Sequence, residues 1–285
     1  MFPEMRKQAN LPGIAAGAPC GLPLPPIGVH HGLYLMCRKA AGVPMTRAEI
    51  IADVGTITLR LRGEPKIEAT ATVLLDLFKY WFDSQGAHTV AGLIPIPFWR
   101  PNLQSAAEKA LISWGMEDVK SYTIEVDITA VATLVTIEIW CEIENRIAPL
   151  GRHLCIGYHP QTFAATGVQD IITLPHGDAD VGIVAMHIGE STGDINALTV
   201  KANGIDIIDE VSMEMNNHVL KKAGRTGQTD YYTADFSVIN DRTGYLESGP
   251  LKSWRVQPEW ELAGGVPGNY PIHIEEYRGL ASPPA

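Results

Sequence analysis

Leu24-Pro25-Pro26-Ile27-Gly28-Val29-His30-His31-Gly32-Leu33-Tyr34-Leu35-Met36 and Leu174-Pro175-His176-Gly177-Asp178-Ala179-Asp180-Val181-Gly182-Ile183-Val184-Ala185-Met186 are one phrase written twice. Leu-Pro, Gly and Met recur at the same offset between the copies. The elements downstream of each copy also recur: a strand, a Gly turn, a second strand and a short helix. In the first half, Thr56-Ile57-Thr58-Leu59-Arg60-Leu61-Arg62 alternates apolar with polar, the period of a strand with one buried face, and Gly63-Glu64-Pro65 turns the chain. In the second, residues 198–201 and 205–208 flank Asn203-Gly204, a pair that accepts the positive φ angles of a tight hairpin. The offset shortens between Gly63 and Gly204, which places extra residues of the first half in the 40–53 loop.

The helices punctuate these strands. Thr72 is positioned to cap a helix with Leu74, Leu77, Phe78 and Trp81 on one face. Asn102 is positioned to cap another, through Leu103, Ala106, Ala107, Ala110, Leu111 and Trp114, ended by Gly115. Ser212 caps a third, with Met215, Val219 and Leu220 facing inward, Lys221 and Lys222 at its negative end and Gly224 as its stop. Residues 232–238, 254–260 and 272–277 read as the last strands. The pattern predicts an all-β chain with short flanking helices, two tandem eight-stranded jelly rolls. Its parts are an N-terminal arm (1–21), a first jelly roll (22–148), and a linker with the second jelly roll (149–285). The arm is rich in Pro, Gly and Ala and has no periodicity; it is expected to be mobile or wrapped on a neighbouring subunit. The link is expected to run from residue 146 to about residue 169.

The chain has 285 residues, 46% of them hydrophobic, so each half can bury a core. Basic residues number 22 and acidic residues 32, a net charge of −10, which argues against direct binding of nucleic acid. Only 19% are charged, which suits a surface partly covered by neighbours. Cys20, Cys37, Cys141 and Cys155 lie far apart, form no CxxC pair and read as small apolar residues kept reduced. Pro12, Pro19, Pro23, Pro25 and Pro26 interrupt any signal-peptide core. The apolar run 128–141 is short for a membrane helix, β-branched and interrupted by Glu138. The expectation is a soluble protein made in a cytoplasm.

No P-loop, HExxH or HxH motif occurs. His176-Gly177-Asp178-Ala179-Asp180 is the one compact cluster, and Asp178 and Asp180 could converge on a calcium ion. A polar turn is the simpler account of the same residues. His30 and His31 are expected to be solvated loop residues. His153, His159, His187, His218 and His273 are scattered singly, and Asp206, Asp209 and Glu210 read as a solvated strand face. Trp81, Trp99, Trp114, Trp140, Trp254 and Trp260 could stack on sugars, though core packing explains most of them. Duplication without visible chemistry points to a structural protein. The alternatives are a carbohydrate-binding, lectin-like double β-sandwich and a bicupin enzyme.

The stretch Leu11-Pro12-Gly13-Ile14-Ala15-Ala16-Gly17-Ala18-Pro19-Cys20, followed by Leu24-Pro25-Pro26-Ile27-Gly28, resembles the N-terminal segment of corticovirus major capsid proteins. Phe98-Trp99-Arg100-Pro101, Ala185-Met186-His187-Ile188, Leu220-Lys221-Lys222-Ala223, Tyr232-Thr233-Ala234-Asp235-Phe236 and Ile274-Glu275-Glu276-Tyr277 carry the resemblance onward in the same order, over nearly the whole chain. It implies a double jelly-roll coat protein of the tectivirus and adenovirus lineage, with no catalysis and no required cofactor. The implied assembly is a homotrimer forming a pseudo-hexagonal capsomer of an icosahedral bacteriophage or prophage particle, built in a bacterial cytoplasm. Its implied partners are neighbouring capsomers, a vertex (penton) protein, and an internal viral membrane or that membrane's proteins at the inner face. A structural calcium ion is also implied, without a ligand set.

Overall fold

The computed structural model describes residues 3–83, 90–100, 112–163, 167–168, 170–171, 174–189, 195–228, 230–239, 244–260 and 268–279. The chain divides into two units, Met1–Ile156 and Gly157–Ala281. The first carries β1 (Glu4–Lys7), β2 (Ala18–Pro23), β3 (Val29–Arg38), α1 (Arg47–Asp53), β4 (Val54–Leu61), β5 (Glu64–Thr70), α2 (Ala71–Phe82), β6 (Leu93–Pro97), β7 (Trp114–Gly115), β8 (Tyr122–Ile128) and β9 (Thr136–Glu144). Strand β10 (His153–Phe163) contains the boundary. The second unit continues with β11 (Gly167–Val168), β12 (Val181–Gly189), β13 (Ile195–Ala202), β14 (Ile205–Ser212), α3 (Met213–Lys222), β15 (Tyr231–Asp235), a helical turn (Phe236–Ile239), β16 (Leu246–Glu247), β17 (Trp254–Trp260) and β18 (Gly268–Arg278).

Each unit has two sheets. In the first unit they run β1-β9-β3-β6, with β7 also on β3, and β5-β4-β8-β2. In the second they run β15-β12-β18, with β16 also on β12, and β11-β17-β13-β14. The two units correspond strand for strand. β3 pairs with β9 and β6 as β12 pairs with β18 and β15. Hairpin β4–β5 matches β13–β14, and β8 joins β4 to β2 as β17 joins β13 to β11. Strands β2–β9 and β11–β18 are therefore two eight-stranded jelly rolls, each with a helix after its hairpin.

The hairpins share a turn. Arg62 and Gly63 have φ of 55° and 83°, and Asn203 and Gly204 have 52° and 78°. Two successive positive φ angles make the turn whose twist matches that of the strands. Arg62 bears the steric cost of the left-handed region and is held there by an ion pair to Asp118 and by donating its N–H to Ser121 O. Apolar alternation then fills the interiors: Leu33, Leu35, Ile57, Leu59, Ile124, Val126, Ile137 and Ile139 in the first unit, and Met186, Ile188, Leu198, Val200, Val256, Ile272 and Ile274 in the second. All four cysteines are buried, and burial pushes the Cys37 and Cys141 thiols up to about 12.

Several expectations need correction. Residues 1–21 are not a loose arm. Strand β1 lies antiparallel on β9, with Glu4 opposite Ile143 and Lys7 opposite Trp140. Gln8 and Leu11 donate N–H to Ile139 O and Ile137 O at 2.8 and 2.9 Å, Leu11 is buried, and β2 pairs with β8. An edge strand needs main-chain pairing on one side only, so prolines and missing periodicity do not forbid it. Strand β10 occupies residues 153–163 of the expected link. The α2 cap is Thr70, not Thr72: Thr70 is extended and accepts the N–H of Val73 at 3.3 Å. Trp114 sits on β7 opposite His30 rather than at a helix end, and residues 102–111 of that expected helix lie outside the described residues. After Asp235 the chain turns helical, where a strand through 238 was expected. On α3, Asn216 and Leu220 face inward while Met215 and Val219 are exposed. The amide Nδ2 of Asn216 reaches Thr233 O at 2.8 Å, which rotates the buried face of α3 away from Met215.

Candidate functional site

His30 and His31, expected to be solvated, turn inward. His31, on β3, lies between Ser113 and Glu144 of β9: Nδ1 is 2.9 Å from Ser113 Oγ, and Nε2 is 3.3 Å from Glu144 Oε2. His187, on β12, is placed the same way in the second unit. Its Nδ1 is 2.9 Å from Thr233 Oγ1 on β15, and its Nε2 is 2.8 Å from Glu275 Oε1 on β18. Each unit thus holds a hydroxyl–imidazole–carboxylate chain, with the imidazole on corresponding strands and the acid on corresponding last strands.

That order of groups is the one a nucleophilic hydrolase uses. Here it serves another purpose. Ser113 and Thr233 are buried, so no substrate carbonyl can reach either oxygen. The chains act as polar cross-links between neighbouring strands. In the first unit the link is partly solvated, its Glu144 side chain 16% exposed. In the second it is sealed, with His187 and Glu275 at 2% and 0%. His273 lies directly across from His187 in the β12–β18 register, with the Tyr158 ring 5.2 Å away. Burial, then His187 and His159, lowers the His273 pKa to about 3. Arg225 and Asp235 add a buried ion pair at 3.2 Å.

The first unit buries a further imidazole. His30 meets Tyr122 edge to face at 5.2 Å, and Trp114 stacks on Phe98 at 4.0 Å beside them. Burial chiefly lowers the His30 pKa to about 4. On the outer side of the same sheet, Tyr34 donates its hydroxyl to Glu142 at 2.9 Å, and Lys7 and Arg38 both pair with Glu138. None of these partnerships is local: the partners of His31 and His187 lie 113, 82, 46 and 88 residues away. The one sequence signal available was the adjacent carboxylates Glu275 and Glu276 within a strand that also carries Ile272, Ile274 and Tyr277.

The expected metal residues form a turn. Asp178 Oδ1 accepts the N–H of Asp180 at 2.9 Å, and Asp180 Oδ2 accepts that of Gly279 at 3.1 Å. His176 directs Nδ1 to Leu174 O at 3.0 Å. Among the described residues no group of three or more His, Cys, Asp and Glu side chains is placed to hold a metal ion. Asp178 and Asp180 would supply two carboxylates of the six to eight oxygens calcium takes, and both already serve the main chain. Asp206 pairs with Lys201, and Asp209 and Glu210 are exposed, as expected of a solvated face. Trp81, Trp114 and Trp254 are buried and offer no stacking platform for sugar.

Two like jelly rolls in one chain, each cross-linked internally, define a protein of the double jelly-roll class. Family models described as the viral coat protein P2 N-terminal domain and C-terminal domain match residues 5–144 and 156–277. The chain belongs to the viral coat protein P2 family: it is a major capsid protein, a structural component of the virion rather than an enzyme. Solved structures agree on the fold. The major capsid protein P2 of bacteriophage PM2 is similar with a TM-score of 0.81 at 17% identity, covering 97% of each chain. The major capsid protein of Sulfolobus turreted icosahedral virus gives 0.68 at 11% identity over 99% of each. The capsid of the virus PBCV-1 gives 0.63 at 10% identity, over 96% of this chain and 93% of that one. A comparison with curated protein sequences finds no match.

Proposed function

We propose that this coat protein assembles as a homotrimer whose six jelly rolls form a pseudo-hexagonal capsomer of an icosahedral bacteriophage or prophage particle with an internal membrane. The observation that carries this reading is the strand-for-strand correspondence of the two units. Placing two like units in one chain lets a threefold object present nearly sixfold sides, so identical capsomers can tile a shell. Neighbouring capsomers would meet those sides, and a separate vertex protein would fill the fivefold positions. The net charge of −10 suits an inner face that meets a membrane or its proteins rather than the genome. Light scattering on the purified chain tests the assembly: three copies of a 31.0 kDa chain predict a particle of about 93 kDa. A stable monomer at micromolar concentration and physiological salt would overturn it.

A further inference from the structure

Five large apolar side chains of the first unit, Val43, Ile51, Val90, Val131 and Val135, are between 38 and 56% exposed and belong to loops and a helix at one end of that unit. Main-chain bonds gather them. Lys39 donates to Val43 O, Val135 donates to Arg38 O, and Cys37 donates to Gly92 O two residues beyond Val90. Thr129 Oγ1 donates to Ala52 O beside Ile51. The end is also stiff. Buried Asp53 accepts the N–H groups of Thr133 and Leu134 at 3.0 and 2.9 Å, fixing the loop that carries Val131 and Val135. Thr46 and Glu49 form a reciprocal capping box on α1. Val43 and Ile51 lie in the 40–53 insertion that interrupts the internal repeat, so the second unit has no counterpart to this part of the surface.

We propose that this end is a contact surface for a second copy of the chain, an inference that rests on the trimer reading. Two features select that occupant. Copies carrying −10 each repel, and they approach at least cost where local charge cancels. Here it cancels: Arg38 pairs with Glu138 at 3.3 Å, Lys39 with Glu49 at 2.8 Å and Arg47 with Asp76 at 2.6 Å. With its cations so engaged and no aromatic among the five side chains, the surface is poorly suited to an anionic lipid interface. A neutral, rigid, aliphatic surface is complementary to another of its kind, and one insertion per chain supplies three such ends to a trimer.

The test is the mass of the full chain by light scattering across a dilution series, with circular dichroism as the control for fold. The triple variant Val43→Ser, Val90→Ser, Val135→Ser should dissociate at a concentration at least about 100-fold higher than the parent, because three apolar side chains would no longer be removed from water on association. The single variant Val43→Asp should weaken the trimer at low salt and regain part of it at high salt, as repulsion is screened. Ile147→Ser, at the opposite end of β9, should leave assembly unchanged. A parent trimer that both variants retain at unchanged midpoint would overturn this surface and leave the trimer standing; a parent monomer would overturn both. Flotation with anionic phospholipid vesicles by the parent, lost in the triple variant while trimer mass is unchanged, would assign the surface to lipid and also overturn the inference.

Discussion

The two units answer one structural problem with different exposure to water. Both tie a central strand to the last strand of the sheet through an imidazole: His31 to Glu144 in the first, His187 to Glu275 in the second. In the first unit the carboxylate keeps some solvent, so losing its partner is partly compensated by hydration. In the second both groups are dry, and each depends on the other. The same motif is therefore a modest brace in one half and a commitment in the other. A buried ionisable pair adds little net stability compared with well-packed apolar residues, yet breaking it from one side is costly.

Four experiments press on this contrast. The largest effect should come from the N-terminal segment. Deleting residues 1–21 removes β1, most of β2 and buried Leu11 and Cys20, and should abolish folding of the first unit while the second retains its own transition in chemical denaturation. A deletion variant that still unfolds in the parent's two steps would show that these pairings are dispensable. Next, Glu275→Ala should destabilise the second unit by about 3–5 kcal/mol, because it removes the carboxylate from the Nε2 of His187 in a dry site. Glu144→Ala should cost the first unit about 1 kcal/mol or less. Equal losses in urea titrations would erase the distinction between sealed and open.

Acid should reveal the same asymmetry. Unfolded histidine takes up a proton below about pH 6.5, but folded His30 does so only near 4 and folded His273 only near 3. The unfolded state binds more protons throughout that window. Stability is then complete above about pH 6.5 and falls on acidification by about 1.4 kcal/mol per pH unit for each group, levelling near pH 4 for the first unit and pH 3 for the second. His30→Phe and His273→Phe should each flatten the acid limb of their own unit in pH-dependent melting; an unaltered limb would refute the assignment. The smallest effect is expected from calcium. With Asp178 and Asp180 already bonded to main-chain N–H groups, a chelator should shift the melting temperature by less than about 1 °C, since weak binding adds little by mass action. A larger shift, removed by Asp178→Asn with Asp180→Asn, would establish the ion there.

What could be read from the sequence was what neighbours along the chain decide. The Asn203-Gly204 turn, the Ser212 cap and the Gly224 stop depend on a few adjacent residues, and each appears where expected. The repeated phrase carried the duplication because both copies obey one topology. The misses are non-local. Strand β1 pairs with residues more than a hundred positions away, and no local pattern records that. Two threonines, Thr70 and Thr72, lie at the start of α2, and the extended conformation of Thr70 decided between them. Met215 and Val219 have the right helical period but the wrong phase, because α3 turns Asn216 inward to Thr233. His31 and His187 could not be distinguished from surface histidines while their distant hydroxyl and carboxylate partners were unknown.

The four sealed thiols carry a consequence for the particle's life outside a cell. A coat protein is made in one redox environment and spends its extracellular existence in another. With Cys37 and Cys141 held near pKa 12 and all four sulfurs away from water, little reactive thiolate forms at neutral pH. The folded chain should therefore keep the same covalent bonding in both settings. A shell of such chains is neither stapled by oxygen nor loosened by reductant, and its opening and closing are left to non-covalent forces alone.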